Sequence, residues 1–317
     1  MTEARHALGR AVGRLLVLPM RVVGTAMAAY AAALARLRPE LGAQWREQEG
    51  QRSARALATI VHAPGNGDPV TLRLAVPNAL AQFRASTFST KEPETLAWID
   101  EFGSPSDVLY DVGANVGLYS IYAAVRHGQR VYAFEPSVFN LGLLARNCAL
   151  NAVTDEIRLI ATPLTAGEGF APFTLTTCDE SGALSAFGVD YGFDGQPLTP
   201  VLQFTVWGSS LDFLRRIGVL PDPPTMLKID VDGIEDLILA GGAVTLSDER
   251  LRTVLIEVNE SFPRQAEAVR QHLTDAGFIL QHAVDAPWLQ GSRFQGSGNQ
   301  IWVRPGQEHP GEVESRP

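Results

Sequence analysis

Two acidic side chains and a glycine loop stand at intervals that suit a nucleoside ligand. Asp111 closes the apolar run Val108-Leu109-Tyr110 and leads directly into Val112-Gly113-Ala114-Asn115-Val116-Gly117. Gly113 and Gly117 let the backbone approach a ligand closely, and a helix beginning near Tyr119, Ile121 and Tyr122 offers free N–H groups at its start. A pyrophosphate or an amino-acid carboxylate suits such a place. The glycine spacing departs from the dinucleotide fingerprint, because no third glycine follows in register. Asp111 repels a pyrophosphate but can receive the ammonium group of a bound amino acid. Glu135 ends the run Val131-Tyr132-Ala133-Phe134, where a carboxylate can accept hydrogen bonds from both hydroxyls of a ribose. S-Adenosylmethionine carries an ammonium and a ribose together, so the two acids favour it over NAD. A structural turn and an NAD-linked oxidoreductase are the competing readings.

A second charged group, Lys228, Asp230, Asp232 and Glu235, surrounds the end of the apolar run Thr225 to Ile229. Three readings fit it: a solvated loop with Lys228 paired, an acid–base group, or oxygen ligands for a divalent cation. In the acid–base reading Asp230 or Asp232 orients an acceptor and takes its proton, with Lys228 tuning the charge. Glu257, at the end of Thr253 to Val258, borders the acceptor pocket or forms a structural salt bridge. The glycine-rich stretch from Ser181 to Gly195 reads as a mobile substrate loop with Tyr191 facing the acceptor; simple packing of its aromatics is the alternative. Methyl transfer from a sulfonium is an in-line displacement, so alignment at near-attack distance supplies much of the catalysis. His127, His272 and His282 are scattered, and no Ser/His/Asp order or zinc-protease motif competes for the function.

The elements that must position these residues alternate. Short apolar runs at Val108–Val112, Arg130–Phe134, Ile157–Ala161, Thr225–Ile229 and Thr253–Val258 interleave with helical segments, the pattern of βαβ units and a parallel sheet. Phe278–His282 and Gln300–Val303 are joined by a loop-like connection and are expected to pair antiparallel. Glu92-Pro93-Glu94-Thr95 starts a helix with Leu96, Ile99 and Phe102 on one face, ended by Gly103. Pro64-Gly65-Asn66-Gly67-Asp68-Pro69 is a turn signal beside two β-like runs, Val70–Val76 and Leu80–Phe88, read as a small entry hairpin.

The chain of 317 residues is 45% apolar and 19% charged, enough for a buried core. Its net charge of −9 argues against nucleic acid as the main partner, since phosphate binding needs clustered Lys and Arg. Its two cysteines, Cys148 and Cys178, belong to no metal-ligand spacing and read as reduced thiols, so a cytoplasmic setting is expected. No metal is assigned. The expected organisation is an N-terminal helical arm over 1–50, an entry hairpin region over 51–90, a catalytic domain over 91–305 and a disordered tail over 306–317. The apolar stretch Val22 to Ala35 is shorter than the roughly 20 residues a bilayer span requires. The arm reads as packing on the core or on a partner subunit in a homo-oligomer, with a basic membrane-surface helix as the alternative.

Four segments, Asp111 to Gly117, Ala133-Phe134-Glu135-Pro136, Asn147 to Asn151 and Leu227 to Glu235, occur in an order that resembles the FkbM family of class I methyltransferases. The resemblance covers residues from about 85 to 303. It implies an α/β, Rossmann-like sheet of seven strands with the last antiparallel. It also implies S-adenosyl-L-methionine as cofactor, its methionine half wrapped by Asp111, Gly113, Ala114, Asn115 and Gly117, its ribose held at Glu135 and Pro136. Many class I members carry an acid after the third strand against the adenine, whereas this chain reads Ile160-Ala161-Thr162, so backbone near Thr162 is expected to serve instead. The resemblance further implies O-methylation of a hydroxyl on a small molecule or glycan. An N- or C-acceptor, or a cofactor-binding module without catalysis, are the alternatives.

Overall fold

The computed structural model describes Glu47 and residues 50–52, 54–284 and 294–307. The chain forms two units, Met1–Ala56 and Leu57–Pro317. In the first, Glu47, Gly50, Gln51, Arg52 and Ala54 are helical, and the rest of the expected arm lies outside the described residues. Most of the expected tail, residues 308–317, lies outside them too. No helix among the described residues is long and apolar enough to cross a membrane.

The second unit is built on a seven-stranded sheet ordered β11-β12-β10-β9-β3-β4-β5. Its strands are β3 (Val108–Val112), β4 (Arg130–Phe134), β5 (Ile157–Ile160), β9 (Met226–Ile229), β10 (Thr253–Asn259), β11 (Ile279–Ala283) and β12 (Ser297–Val303). Neighbours from β5 to β10 run parallel, and β12 is antiparallel to both β10 and β11. The antiparallel closing strand agrees with the loop-like sequence that joins it to β11. β3, β4 and β9 are apolar almost throughout because helices cover both sheet faces. Tyr110, Tyr132 and Phe134 meet at ring separations of 5.2 and 5.8 Å inside one continuous core.

Two expectations near the N-terminal side are corrected. Leu80–Phe88 is not a strand: it lies in helix α1 (Ala79–Lys91), capped by Asn78, whose side chain accepts from the Ala81 N–H. Ala81, Ala85 and Phe88 are buried, spaced four and three apart, which is one face of a helix. The hairpin forms instead between β1 (Leu57–His62) and β2 (Val70–Ala75), across the Pro64–Pro69 turn. Helix α2 (Pro93–Phe102) begins with Pro93 and is closed by Gly103, whose N–H donates to the Ile99 carbonyl. The Ser181–Gly195 stretch is also more structured than a bare loop. It contains β7 (Ser185–Phe187), which with β6 (Gly169–Leu175) and β8 (Leu202–Gly208) makes a three-stranded antiparallel sheet.

The hairpin is tied to the sheet by one helix face. On α4 (Val138–Leu150), the side-chain Oδ1 of Asn147 accepts from the Ala75 N–H at 2.8 Å, and its Nδ2 donates to the Val116 carbonyl at 2.9 Å. Asn151, one turn on, clamps both backbone groups of Arg73. Asn147 is fully buried, so Asn147→Ala strands an N–H and a carbonyl. The expected loss of stability by urea denaturation is about 2–4 kcal/mol; a loss below 0.5 kcal/mol would show the clamp to be dispensable.

Candidate active site

A cavity of about 950 Å³ opens at the carboxyl ends of β3, β4, β9 and β10. Parallel sheets place ligands there because loop backbone groups and helix N-termini converge at that edge. β3 runs into the glycine loop and then α3 (Leu118–His127). Gly113, at φ +84°, packs so closely on β9 that a Cβ would lie 1.9 Å from the Asp230 carbonyl oxygen. Gly117, at φ +86°, caps α3, and its N–H donates to the Ala114 carbonyl at 2.8 Å. Asn115 adopts the left-handed region without being glycine, at φ 51°. That geometry turns its N–H onto Glu135 Oε2 at 2.8 Å.

Glu135 is held from two sides, since its Oε1 accepts from the Ser137 N–H at 2.8 Å. Burial pushes its carboxyl up to about 8, against the pull of these two backbone donors. Pro136 and Thr162 also line the cavity, as do Gly113, Ala114 and Asn115. Asn140 stands beside them, almost fully buried, its amide donating to the Gly182 carbonyl at 3.0 Å while its Oδ1 has no partner. Asn115 is similar: its amide donates to the same carbonyl at 2.8 Å and its Oδ1 is unpartnered. Asn140 is not singled out by the sequence, because an Asn on a helix carries no spacing signal of its own.

Asp111 is placed differently from expectation. It lies beneath the cavity wall, 1% exposed, its Oδ2 accepting from Ser120 Oγ at 2.5 Å. Its Oδ1 is 3.7 Å from Lys228 Nζ and accepts no hydrogen bond. Gly117 likewise shapes the loop without lining the cavity. Lys228 is fully buried, donates to Asp230 Oδ2 at 2.8 Å and sits 5.3 Å over the Tyr119 ring. Burial opposes its charge, but Asp230 and Asp111 outweigh that and hold the ammonium protonated above its usual range. Burial lifts the Asp111 carboxyl, whereas at Asp230 the adjacent ammonium outweighs burial and keeps the carboxyl below its usual range. Lys228 thus favours the ionised form of Asp230 and makes it a weaker proton acceptor.

Asp232 accepts from the Ser185 N–H at 2.9 Å, and burial raises its carboxyl to about 6. Asp232 and Glu257 line the same cavity as Asp230 and Lys228, so the structure gathers the sequence's second acidic group around one space. Glu235 turns away from it and pairs with buried Gln265. Tyr191 does not line the cavity; its ring packs edge-on against Phe262 at 5.7 Å. Among the described residues no group of three or more His, Cys, Asp or Glu side chains is arranged to hold a metal ion.

A family model described as the methyltransferase FkbM domain matches residues 111–280. The 31-O-demethyl-FK506 methyltransferase FkbM of Streptomyces tacrolimicus is 28% identical over 178 residues, covering 49% of this chain and 66% of that protein. Methyltransferase sdnD of Sordaria araneosa is 34% identical over 67 residues, covering 21% of this chain and 26% of its own length. The chain therefore spans less than two thirds of either relative. Among solved structures, a methyltransferase FkbM from Methylobacillus flagellatus aligns at 16% identity and a TM-score of 0.41, covering 63% of this chain and 44% of that one. Magnesium protoporphyrin IX methyltransferase from Synechocystis, solved with bound SAM, aligns at 14% identity and a TM-score of 0.40, covering 76% and 86%.

The raised Glu135 carboxyl gives stability a pH signature. With a usual value of 4.5 and a folded value of about 8, the folded protein holds more protons than the unfolded chain across that window. Stability of the ligand-free protein contributed by this group is present below the lower value and is lost as pH rises toward the upper one. Urea denaturation from pH 5 to 8 should show that decline, and Glu135→Gln should flatten it. An unchanged slope in the variant would assign the decline to other groups.

Proposed function

This chain belongs to the FkbM methyltransferase family, and from that premise we propose that it transfers a methyl group from S-adenosylmethionine to a hydroxyl oxygen of a small-molecule or glycan acceptor. The single observation that carries the reading is Glu135, fixed by two backbone donors at the rim of a cavity whose other wall is the Gly113–Gly117 loop. A carboxylate so held presents its remaining lone pairs to a vicinal diol, which a ribose supplies. The unpartnered Oδ1 atoms of Asn115 and Asn140 add two acceptors beside it, a match for a donor-bearing nucleoside. Carboxylates along the remaining wall, Asp230, Asp232 and Glu257, suit a sulfonium cation and disfavour a pyrophosphate.

When bound, the cofactor supplies an electrophilic methyl group. The chain's part is alignment and charge: Glu135 and the glycine loop hold the nucleoside and methionine portions, and Asp230, kept ionised by Lys228, orients the acceptor hydroxyl. Support for an oxygen acceptor comes from these carboxylates and from the likeness to the Streptomyces 31-O-demethyl-FK506 methyltransferase.

Calorimetric titration tests the reading. S-Adenosylmethionine and S-adenosylhomocysteine should both bind, and NAD should not. Glu135→Ala should weaken both nucleosides by roughly 10- to 100-fold, the loss of one or two hydrogen bonds. Preferential binding of NAD, or nucleoside affinity indifferent to Glu135→Ala, would discard it.

A further inference from the structure

The carboxylates lining the cavity are not equivalent. Glu92 accepts from the Tyr119 hydroxyl at 2.7 Å and pairs with Lys91. Glu94 accepts from the Asn299 amide at 2.7 Å, and Asp194 from the Gln196 N–H at 3.0 Å. Glu135 is taken by two backbone donors, Asp230 by Lys228 and Asp232 by the Ser185 N–H. Glu257 stands apart: among the described residues none donates a hydrogen bond to it, although it lines the same space.

Register explains its place. Ile256 of β10 pairs with Ile229 of β9, so Glu257 and Asp230, each the next residue, leave adjacent parallel strands side by side. Across the sheet the order is Glu135 on β4, the glycine loop on β3, Asp230 on β9 and Glu257 on β10. A nucleoside gripped at β4 with its amino-acid end on the β3 loop leaves the β9 and β10 ends for the reacting groups. The groups facing Glu257 are Lys228 of β9, Asp230 and Asp232 just after it, and Lys91 and Glu92 from the end of α1; Glu235, the first residue of α6 (Glu235–Ala240, after α5, Leu211–Arg216), turns from the cavity but still acts on Glu257 through its charge.

Resting on the methyltransferase reading, we propose that Glu257, rather than Asp230, is the proton acceptor for the acceptor hydroxyl. Asp230 is committed to Lys228 and Asp232 to a backbone donor, whereas Glu257 has its lone pairs facing the cavity with a choice of proton. The hydroxyl proton passes to the Glu257 carboxylate as the oxygen's electron pair forms the bond to the methyl carbon and the carbon–sulfur pair returns to sulfur. Burial and the neighbouring carboxylates favour the protonated form of Glu257 in the ligand-free protein. A sulfonium bound near it would favour the ionised form, leaving Glu257 able to take up the hydroxyl proton.

That linkage is measurable without knowing the acceptor. S-Adenosylmethionine bears the sulfonium and S-adenosylhomocysteine does not. Titrating each into the whole chain, in buffers of different ionisation enthalpy over a pH series, gives the protons released by each. The expected result is a release greater for S-adenosylmethionine by a sizeable fraction of one proton. In Glu257→Gln the difference should fall by more than half, with S-adenosylhomocysteine affinity within about threefold of the unchanged chain. Glu257→Asp should keep the difference and move its midpoint, which guards against a folding defect in the first variant. A difference that persists in Glu257→Gln, or disappears in Asp232→Asn instead, overturns the assignment. So does equal release from both nucleosides in the unchanged chain, which leaves the methyltransferase reading standing. If neither nucleoside binds, that reading fails and the assignment with it.

Discussion

A single ammonium group, buried where the two innermost strands end, is the constraint around which the rest is arranged. Lys228 Nζ lies near Asp230 and Asp111 and over the Tyr119 ring, almost wholly buried at the cavity wall. An isolated charge in such a place is costly, so the surrounding carboxylates are obligatory and not decorative. Each of them fixes something else. Asp111 is bound to Ser120 of α3, which locks the helix that follows the glycine loop. Tyr119 reaches Glu92 at the start of α2, which draws the α1–α2 junction to the cavity. Removing the ammonium would leave buried negative charge with nothing to answer it.

The same arrangement divides the cavity into regions with different chemistry. β3 and β9 approach until only a glycine fits at position 113, and this narrow seam brings the glycine loop level with Asp230. On the β4 side, Glu135 and two asparagines present acceptors to a ligand rich in donors. On the β10 side, carboxylates crowd one another and burial raises two of them, so proton affinity there is sensitive to the charge of whatever binds. On the proposed reading, the order of strands would put recognition at one end of the row and reaction at the other.

Much of this was legible in the chain itself. The parallel strands announce themselves as short apolar runs, and the Asp111–Gly117 and Leu227–Glu235 segments read directly as strand ends because charge appears abruptly after apolar sequence. What was not legible has identifiable causes. Leu80–Phe88 carries apolar residues that satisfy a strand or a helix, and only burial of Ala81, Ala85 and Phe88 on one face decides for the helix. β6 and β8 alternate half-buried with exposed positions over most of their length, so few residues are fully buried, Gly169 and Pro172 interrupt β6, and the two strands pair across about thirty residues. Asp111 was read as a ligand contact because its position at a strand end is right, yet the direction of its side chain depends on Ser120 and Lys228, one of them over a hundred residues away. The difference between Asp230 and Glu257 is of the same kind, since both are acids after apolar strands and only their partners distinguish them.

On this proposal one nucleoside lies across the ends of β4 and β3 with its sulfur directed toward β9 and β10. A crystal structure of the chain with S-adenosylhomocysteine tests it most directly. The expected result is the ribose diol on Glu135, the amino-acid end against the Gly113–Gly117 loop and the sulfur nearer to Asp230 and Glu257 than to Glu135. A nucleoside lodged elsewhere, or reversed along the same cavity with its ribose at β10, would contradict it.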